Sequence, residues 1–308
     1  MHLSRPNIYS LKVVMSITDN MTLPYYKGSK LRGILGHALK TACCKLRKPS
    51  ADCERCGERI ICDYGQLFNG EYKDKAALPP QYRKYQNFPP PFSICPPLNT
   101  GTSFCEGDYF TFDFNLIGSG INHYHYFLDA FRRFRYYIAD KETGARFSLQ
   151  AIVDNSNGKA IWSKGNIRRP GPVKPGPVIK KGDEFKLEFI TPTRIFKYGK
   201  PVMNDLDTEI LTSRIYEKSA LQLFLYCGID EPEGIGSDSF EVLESDLKWV
   251  KTAHSSARHG EKLKMDGFTG TVRVKLNDEN AVKYLQTARF MHIGQYTSAG
   301  FGKFIIFK

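Results

Sequence analysis

The chain has 308 residues, of which 44 are Lys or Arg and 32 are Asp or Glu, so its formal charge is +12. Hydrophobic residues at 41% and charged residues at 25% exclude a fully disordered or fibrous chain, and the length predicts about two domains. No apolar run approaches the roughly 18 residues of a membrane span, and the N-terminus lacks the pattern of a secretion signal. We therefore expect a cytoplasmic protein with no membrane partner.

The first half of the sequence predicts the element order β-α-β-β-α-β. Alternating β-branched residues at 8–18 predict a strand, and apolar residues at helical spacing predict an amphipathic helix over 29–47. A Cys-rich insertion at 43–90 follows this helix. The other predicted elements are strands at 92–97, 108–117 and 147–153 and a helix at 122–139.

A basic segment at 164–182 separates this pattern from a second one. It holds four Pro, four Gly and six Lys or Arg but no acidic residue, so it cannot form a helix and marks a domain boundary. The elements predicted after it are strands at 185–191, 239–243, 247–252, 269–274 and 301–308 and helices at 205–227 and 280–290. We therefore predict an α+β fold of two tandem ferredoxin-like (RRM-like, βαββαβ) modules, at 1–163 and 183–308, with a Cys-rich metal-binding insertion in the first.

Three glycines lie between the last predicted helix and the last strand, in the loop Gly294-Gln-Tyr-Thr-Ser-Ala-Gly300-Phe-Gly302-Lys303. Glycine allows two backbones to approach closely and can present N–H groups to phosphate oxygens, and Lys303 adds a positive charge. A glycine-rich turn before a strand is also the usual form of a tight connection. The loop alone therefore leaves phosphate binding and backbone packing as alternatives.

Four of the eight cysteines have a spacing typical of a four-thiolate metal site, Cys44-x8-Cys53-x2-Cys56-x5-Cys62. A loop this small cannot bury a core of its own, and a cytoplasmic chain disfavours disulfides. We predict structural Zn²⁺, with an iron–sulfur cluster and unmetallated reduced thiols as the alternatives. Cys43 competes with Cys44 for the first position.

The glycine-rich loop resembles the C-terminal G-x5-G-hydrophobic-G signature of the CRISPR repeat-RNA processing endoribonucleases, the sixth CRISPR-associated family of the RAMP superfamily. Further blocks resemble the same family in order: LRGILGHAL at 31–39, CDY at 62–64, GDYFTFDFNLIG at 107–118, ITPTRIF at 190–196 and GFTG at 267–270. They span most of the chain. The family's spacing from Arg32 favours Cys44 over Cys43. One departure is His292, where some members carry a further glycine.

This resemblance implies that the protein binds CRISPR repeat RNA and cuts each repeat once without a metal or other cofactor. The ribose 2′-OH would attack the adjacent phosphate and leave a 2′,3′-cyclic phosphate and a 5′-OH. The implied partners are precursor and mature crRNA and other CRISPR-associated effector proteins. The first alternative is a non-catalytic RAMP-type subunit that binds crRNA within an effector complex. The second is a metal-cluster interaction module.

His37 is the predicted general base, because an imidazole exchanges protons near neutral pH. On a helical wheel it lies roughly 140° from the centre of the apolar stripe of its helix, with Gly33 one turn before it and Lys40 one turn after it. Lys40 is predicted to stabilise charge on the phosphate, and Tyr26 to act as an acid or a stacking surface. Gly33 and Gly36 are expected to leave an open surface for the RNA. The alternative for His37 is a solvent-facing side chain with no role.

The positive charge predicts an RNA path along the linker and beside the glycine-rich loop. Arginines interleaved with aromatic residues at 131–137 and further cations at 251–264 add to it. The predicted RNA-binding residues are Arg32, Gly33, Arg132, Arg133, Arg168, Arg169, Lys174, Lys180, His292, Gly294, Gly300, Gly302 and Lys303.

Overall fold

Two antiparallel β-sheets with helices packed against them form the protein, as seen in a computed structural model. The structure describes residues 7–46, 52–72, 74–86, 88–99, 101–163, 165–174, 176–230, 232–252 and 265–308. Lys164 and most of the predicted cations at 251–264 lie outside the described residues. Among those residues, no helix combines the length and apolar character of a membrane span.

The first half of the chain builds a six-stranded sheet in the order β3-β5-β1-β6-β7-β8. All neighbouring strands in this sheet run antiparallel. In chain order, the elements of this half are β1 (Ile8–Ile17), β2 (Met21–Thr22), α1 (Gly28–Cys43), α2 (Pro80–Arg83), β3 (Phe92–Cys95), β4 (Ser103–Phe104), β5 (Tyr109–Ile117), α3 (Tyr124–Arg133), β6 (Phe147–Asp154), β7 (Ala160–Ser163) and β8 (Asn166–Ile167). Strands β2 and β4 form a separate small pair.

The second half builds a four-stranded antiparallel sheet in the order β12-β13-β9-β14. Its elements are β9 (Glu184–Thr193), β10 (Phe196–Lys197), β11 (Lys200–Pro201), α4 (Thr208–Cys227), β12 (Phe240–Val250), β13 (Gly267–Leu276), α5 (Val282–Met291) and β14 (Phe304–Phe307). Strands β10 and β11 pair as a short hairpin outside this sheet.

The major strands and helices predicted from the sequence are present, with four differences. The helix predicted at 122–139 is an α-helix only over Tyr124–Arg133. The strands predicted at 239–243 and 247–252 are one strand, β12, which carries a β-bulge between Val242 and Glu244. The extra residue of a bulge shifts the inside–outside alternation by one position, which makes one strand resemble two. Helix α1 ends at Cys43 rather than at 47, and Leu46 lies beyond it, 44% exposed. The predicted linker begins inside the first sheet, because its residues 166–167 form β8.

Strands β1 and β5 present two chemically different faces. Leu11 and Val13 of β1 and Phe112 of β5 belong to the core that packs under α1 and α3. Side chains alternate between the faces of a strand, so Ser10 and Asp113 point to the opposite side of the sheet. The helix that carries His37 and this polar face are therefore separated by the sheet.

Candidate functional site

The N-terminal end of α1 packs directly against the glycine-rich loop. The ideal Cβ position of Gly28 lies 1.9 Å from the carbonyl oxygen of Ala299, so only glycine fits there. Arg32 Nε donates a hydrogen bond to Ser298 Oγ at 2.8 Å, across 266 positions of sequence. The fold thus brings together the two sequence blocks that were predicted to carry the function.

The glycines of this loop serve backbone packing. Gly300 (φ 92°) and Gly302 (φ 73°) have left-handed backbone conformations that favour glycine. Their N–H groups donate to the carbonyl oxygens of Thr297 and Pro192, at 3.0 Å in both cases. The expectation that these two residues present free N–H groups to phosphate is therefore wrong, because the N–H groups are used within the protein.

His37 lies on the exposed face of α1. Apart from its chain neighbours and the backbone of its own helix, no heavy atom of the described residues lies within 4 Å of the ideal Cβ position of Gly33, one turn earlier, so this surface is open as predicted. Gly36 is different, because its ideal Cβ position lies 2.5 Å from the ring of Phe68, which packs over it. Lys40 is half-buried and borders a small cavity lined by cysteines.

Tyr137 holds the part of α1 that carries His37. Its hydroxyl donates to the His37 carbonyl oxygen at 3.2 Å and lies 2.7 Å from Thr41 Oγ1. The rings of Tyr137 and His37 are nearly parallel, with centroids 6.2 Å apart. Sequence reasoning missed Tyr137, because a residue after the end of α3 gives no local sign that it meets α1.

Tyr26 supports the loop. Its hydroxyl donates to the Ala299 carbonyl oxygen at 2.9 Å, and its ring packs edge-on against Phe301. Burial, with a smaller contribution from Cys95, raises the pKa of Tyr26 well above its usual value. A hydroxyl that is buried and already donating is poorly suited to deliver a proton to RNA, so the structure does not support Tyr26 as an acid.

His292 is buried beneath the glycine-rich loop and is only 1% exposed. Neither ring nitrogen makes a hydrogen bond of normal geometry among the described residues, although the nearby backbone of Phe301 and of Thr297 favours the charged ring. Burial, together with the nearby charges of Lys303 and Lys218, lowers the pKa of His292 well below its usual value. The prediction that His292 contacts RNA is wrong, because the fold encloses its ring.

Lys218 on α4 is a second residue that sequence reasoning missed. Its amine donates to the Met291 carbonyl oxygen at 2.9 Å and to the hydroxyl of Thr297, and so joins the end of α5 to the glycine-rich loop. Burial of the amine lowers its pKa from 10.5 to about 7. No local sequence signal singles it out, because Arg214 and Glu217 are charged residues of the same helix.

Protein stability is expected to depend on the charge of Lys218. Between pH 7 and 10.5 the unfolded chain binds a proton at this lysine that the folded chain has lost, so the free energy of unfolding should rise with pH across this window. One pKa unit corresponds to about 1.4 kcal/mol, and we expect a rise of about 2 kcal/mol because the side chain is only half-buried. Urea denaturation at the two ends of the window should show that Lys218→Met removes most of this rise. The exposed Lys186→Met is the control, and an unchanged pH dependence in Lys218→Met would contradict the assignment.

The predicted RNA-binding arginines around α1 are in different environments. Arg32 is half-buried, and its guanidinium lies 4.4 Å from the centre of the Phe68 ring. Arg132 is exposed on α3, next to α1. Arg133 pairs with Asp129, with Nε 2.6 Å from Oδ2. Of these three side chains, Arg132 is the one that is open to a ligand.

The predicted cations of the linker do not continue the α1 surface. Lys174 and Lys303 line a cavity on the opposite side of the first sheet, together with Ser10 and Asp113. The exposed residues Arg168, Arg169 and Lys180 also belong to this segment. The expected single RNA path is therefore divided, and Lys303 lies on the far side of the sheet from His37.

The predicted thiol ligands Cys44, Cys53, Cys56 and Cys62 line one cavity of about 10 Å³. Cys43 is set apart, because its thiol donates to the Leu39 carbonyl oxygen at 3.1 Å within α1 and burial raises its pKa. In the part of the chain that the structure describes, no three histidine, cysteine or acidic side chains are arranged so that they could hold a metal ion. The four thiols therefore share the predicted place, but this structure does not arrange three of them around one point.

Two family models match the chain and leave only a short gap between them. One, described as an N-terminal domain, matches residues 6–177. The other, described as the CRISPR-associated endoribonuclease Cas6, matches residues 187–304. A comparison with curated proteins finds no match.

Solved structures with the same fold carry the Cas6 name. The Cas6 (TTHB231) product complex, a protein of Thermus thermophilus, is 14% identical with a TM-score of 0.54, over 97% of this chain and 99% of that one. The Cas6 (TTHA0078) product complex is 15% identical with a TM-score of 0.50, over 98% and 99% of the two chains.

A partial Cas6-RT-Cas1–Cas2 complex is 15% identical with a TM-score of 0.55, and there the match covers 99% of this chain but only 46% of that one. This chain thus spans less than half the length of that relative. Residues 187–304 thus match the Cas6 family of CRISPR-associated endoribonucleases, and the chain as a whole has the fold of the solved Cas6 structures.

Proposed function

We propose that this protein binds CRISPR repeat RNA and cuts the precursor into crRNA, with His37 as the general base. The observation that carries the proposal is the position of His37 on the open face of α1, whose N-terminal end is joined to the glycine-rich loop. An exposed imidazole on a rigid helix can meet a bound strand without rearrangement of the protein. Arg132 on the neighbouring α3 is our candidate for a phosphate contact beside it.

We further propose that the two halves, 1–163 and 183–308, are ferredoxin-like modules. The orders β3-β5-β1-β6 and β12-β13-β9-β14 support this. If the four main strands of each half are numbered by their order along the chain, they lie side by side in the order second, third, first and fourth in both sheets. The segment 164–182 joins the two modules. Its residues 166–167 pair in the first sheet, and Ile179 is buried in the apolar core that packs against the second sheet.

The proposed chemistry needs no metal ion. The imidazole of His37 takes the proton of the ribose 2′-OH, and the resulting alkoxide attacks the adjacent phosphorus. The bond to the 5′-oxygen breaks, solvent at this exposed surface supplies a proton to the leaving oxygen, and a 2′,3′-cyclic phosphate and a 5′-OH remain. Lys40, one turn after His37, is the proposed source of positive charge for the phosphate.

Cleavage in the presence of EDTA tests this proposal. We expect the full-length protein to cut the cognate repeat at one position, and the product to carry a cyclic phosphate that acid converts to a monophosphate. The assay is run below the unfolding temperature measured in the same EDTA buffer. Tight binding of the repeat without any cleavage would instead identify a non-catalytic crRNA-binding subunit, and cleavage restored by Mg²⁺ would contradict the metal-independent mechanism.

We also propose that the protein works with other CRISPR-associated proteins. Support comes from the relative whose structure contains Cas6, RT, Cas1 and Cas2 parts. Co-purification from its native cells would identify the CRISPR-associated proteins that bind this chain.

The four thiols remain our candidate for a structural Zn²⁺ site. Their support is the donor set and the shared cavity. Zinc would cross-link a segment that has little core of its own.

Metal analysis of the purified protein tests the zinc proposal. We expect about one zinc per chain, the normal content of a four-thiolate site. Cys56→Ser should lose the metal and lower the melting temperature, whereas Cys105→Ser, an exposed cysteine outside the cluster, should keep both. Visible absorbance with bound iron would identify an iron–sulfur cluster, and a metal-free protein with the same melting temperature would favour reduced thiols.

A further inference from the structure

A cavity of about 540 Å³ lies on the side of the first sheet that faces away from α1. Its walls are Asp113 and Asn115 of β5, Lys174 of the linker, Arg289 and Phe290 of α5, and Lys303. Both halves of the chain and the segment between them therefore contribute to it. Its volume is in the range of small-ligand sites, roughly 300–1,000 Å³.

Two cations of this cavity lack an acidic partner. Within the described ranges, neither Arg289 nor Lys303 forms an ion pair. The Lys303 amine donates instead to the Arg289 carbonyl oxygen at 2.9 Å, and both cations lie over the ring of Phe290, at 5.5 and 5.2 Å from its centre. The nearest acid on the wall, Asp113, accepts a hydrogen bond from Asn155 Nδ2 at 3.0 Å.

The two charges are costly in the absence of an anion. Burial lowers the pKa of Arg289 and of Lys303. For Lys303 the neighbouring guanidinium lowers the pKa further, while Cys95 and Asp113 offset part of the effect. Like charges that are partly desolvated and close together destabilise each other. An anion bound between them would relieve both effects, and a phosphate group has the right charge and acceptors for an Arg–Lys pair.

The linker crosses over the side chain of Arg289 at Gly176. The ideal Cβ position of Gly176 lies 2.5 Å from Arg289 Nη1 and 2.3 Å from Gln286 Oε1, so a side chain there would push the guanidinium aside. Lys174, two residues earlier, is exposed at the rim of the cavity. Lys174 thus adds a third cation at the rim, near the point where the linker crosses Arg289.

The opposite wall offers neutral polar groups. Asn115 is 1% exposed, and its amide nitrogen donates to Ser93 Oγ and to the Phe290 carbonyl oxygen, both at 3.0 Å. Its Oδ1 has no hydrogen-bond partner among the described residues. Asp113, on the same wall, presents carboxylate oxygens that can accept from the hydroxyl and amino donors of a ribose or a base. A lone phosphate would leave most of the volume unfilled.

We propose that this cavity is a nucleotide-binding site, with the phosphate held by Arg289, Lys303 and Lys174 and the nucleoside lying along Asp113 and Asn115. The same chemistry could come from a free nucleotide or from one nucleotide of a single strand. The site goes beyond the proposed cleavage function and does not depend on it, because the first sheet separates the cavity from His37.

Calorimetric titration of the full-length protein with AMP and CMP, and with inorganic phosphate as reference, tests the proposal. We expect at least one nucleotide to bind more tightly than phosphate, and its affinity to fall as salt rises. Arg289→Gln should weaken nucleotide binding about tenfold, the loss of one charge-assisted contact, while Arg289→Lys should keep part of it. Arg273→Gln, which alters an exposed arginine paired with Glu184 and Glu244 on the second sheet, is the matched control.

Competition with a short single-stranded RNA that lacks the repeat distinguishes the two sources. Displacement of the nucleotide would assign the cavity to a strand, and no displacement would assign it to a free nucleotide. Equal binding by Arg289→Gln and the wild type, absence of nucleotide binding, or phosphate binding as tight as that of AMP and CMP would each overturn the proposal. None of these results depends on whether the protein cleaves RNA with His37 as the general base.

Discussion

Replacement of His37 with alanine should slow cleavage of the cognate repeat at least about 100-fold, the usual contribution of a general base. The imidazole is exposed, and the contact described for its ring is the loose stacking on Tyr137, so its removal should not disturb α1. Repeat-RNA affinity and the melting temperature should therefore stay near the wild-type values. Single-turnover cleavage with end-labelled RNA measures the rate apart from product release.

The matched control is His125→Ala. His125 is also exposed and lies on α3, the helix beside α1, so it tests whether loss of any surface imidazole in this region slows the reaction. We expect the control to cut at the wild-type rate. If His37→Ala also cuts at that rate, the assignment of the base is wrong, even though residues 187–304 match the Cas6 family.

Substitution of Gly302 with alanine is expected to destabilise the protein by about 2–5 kcal/mol. A left-handed backbone costs a residue with a Cβ roughly 1–2 kcal/mol, and overpacking a tight contact costs roughly 1–3 kcal/mol more. The added Cβ would lie 1.8 Å from the Ile293 carbonyl oxygen, which is fixed backbone. Urea denaturation should show the loss, and RNA binding should fall in parallel with the folded fraction.

Gly107→Ala separates the two causes. Gly107 also has a left-handed backbone (φ 85°), but apart from its two chain neighbours no heavy atom of the described residues lies within 4 Å of its ideal Cβ position. It should therefore show the backbone cost alone, about 1–2 kcal/mol. Equal losses in the two variants would contradict the close approach at Gly302. Weaker RNA binding by a Gly302→Ala protein of normal stability would instead point to direct contact between the loop and phosphate.

The secondary structure was largely predictable, because it depends on local periodicity. The apolar spacing of Leu31, Ile34 and Leu35 predicts α1, and all three are buried in the structure. The alternation at 108–117 predicts β5 in the same way. The prediction failed where a local irregularity imitates a boundary, as at the bulge that made β12 resemble two strands.

The candidate site was only partly predictable. The open face of α1 at Gly33 and His37 follows from the helical wheel, but the burial of Gly36 under Phe68 and of His292 under the loop does not. Both burials result from segments distant in sequence that fold back onto these positions. Lys218 escaped notice for the same reason, since its partners belong to α5 and the loop.

The +12 charge shows most clearly what the sequence determines and what the tertiary structure determines. The sequence by itself determined the excess of cations, the acid-free linker, the strands and helices, and the exposed histidine, because these follow from composition and from periods of two and 3.6 residues. Only the tertiary structure decided which groups meet. It joined the glycine-rich loop to α1 and carried Lys303 and Lys174 to the other side of the first sheet. The reason is physical: backbone contacts and shared walls between residues far apart in sequence depend on how the sheets pack, and no local pattern records that packing.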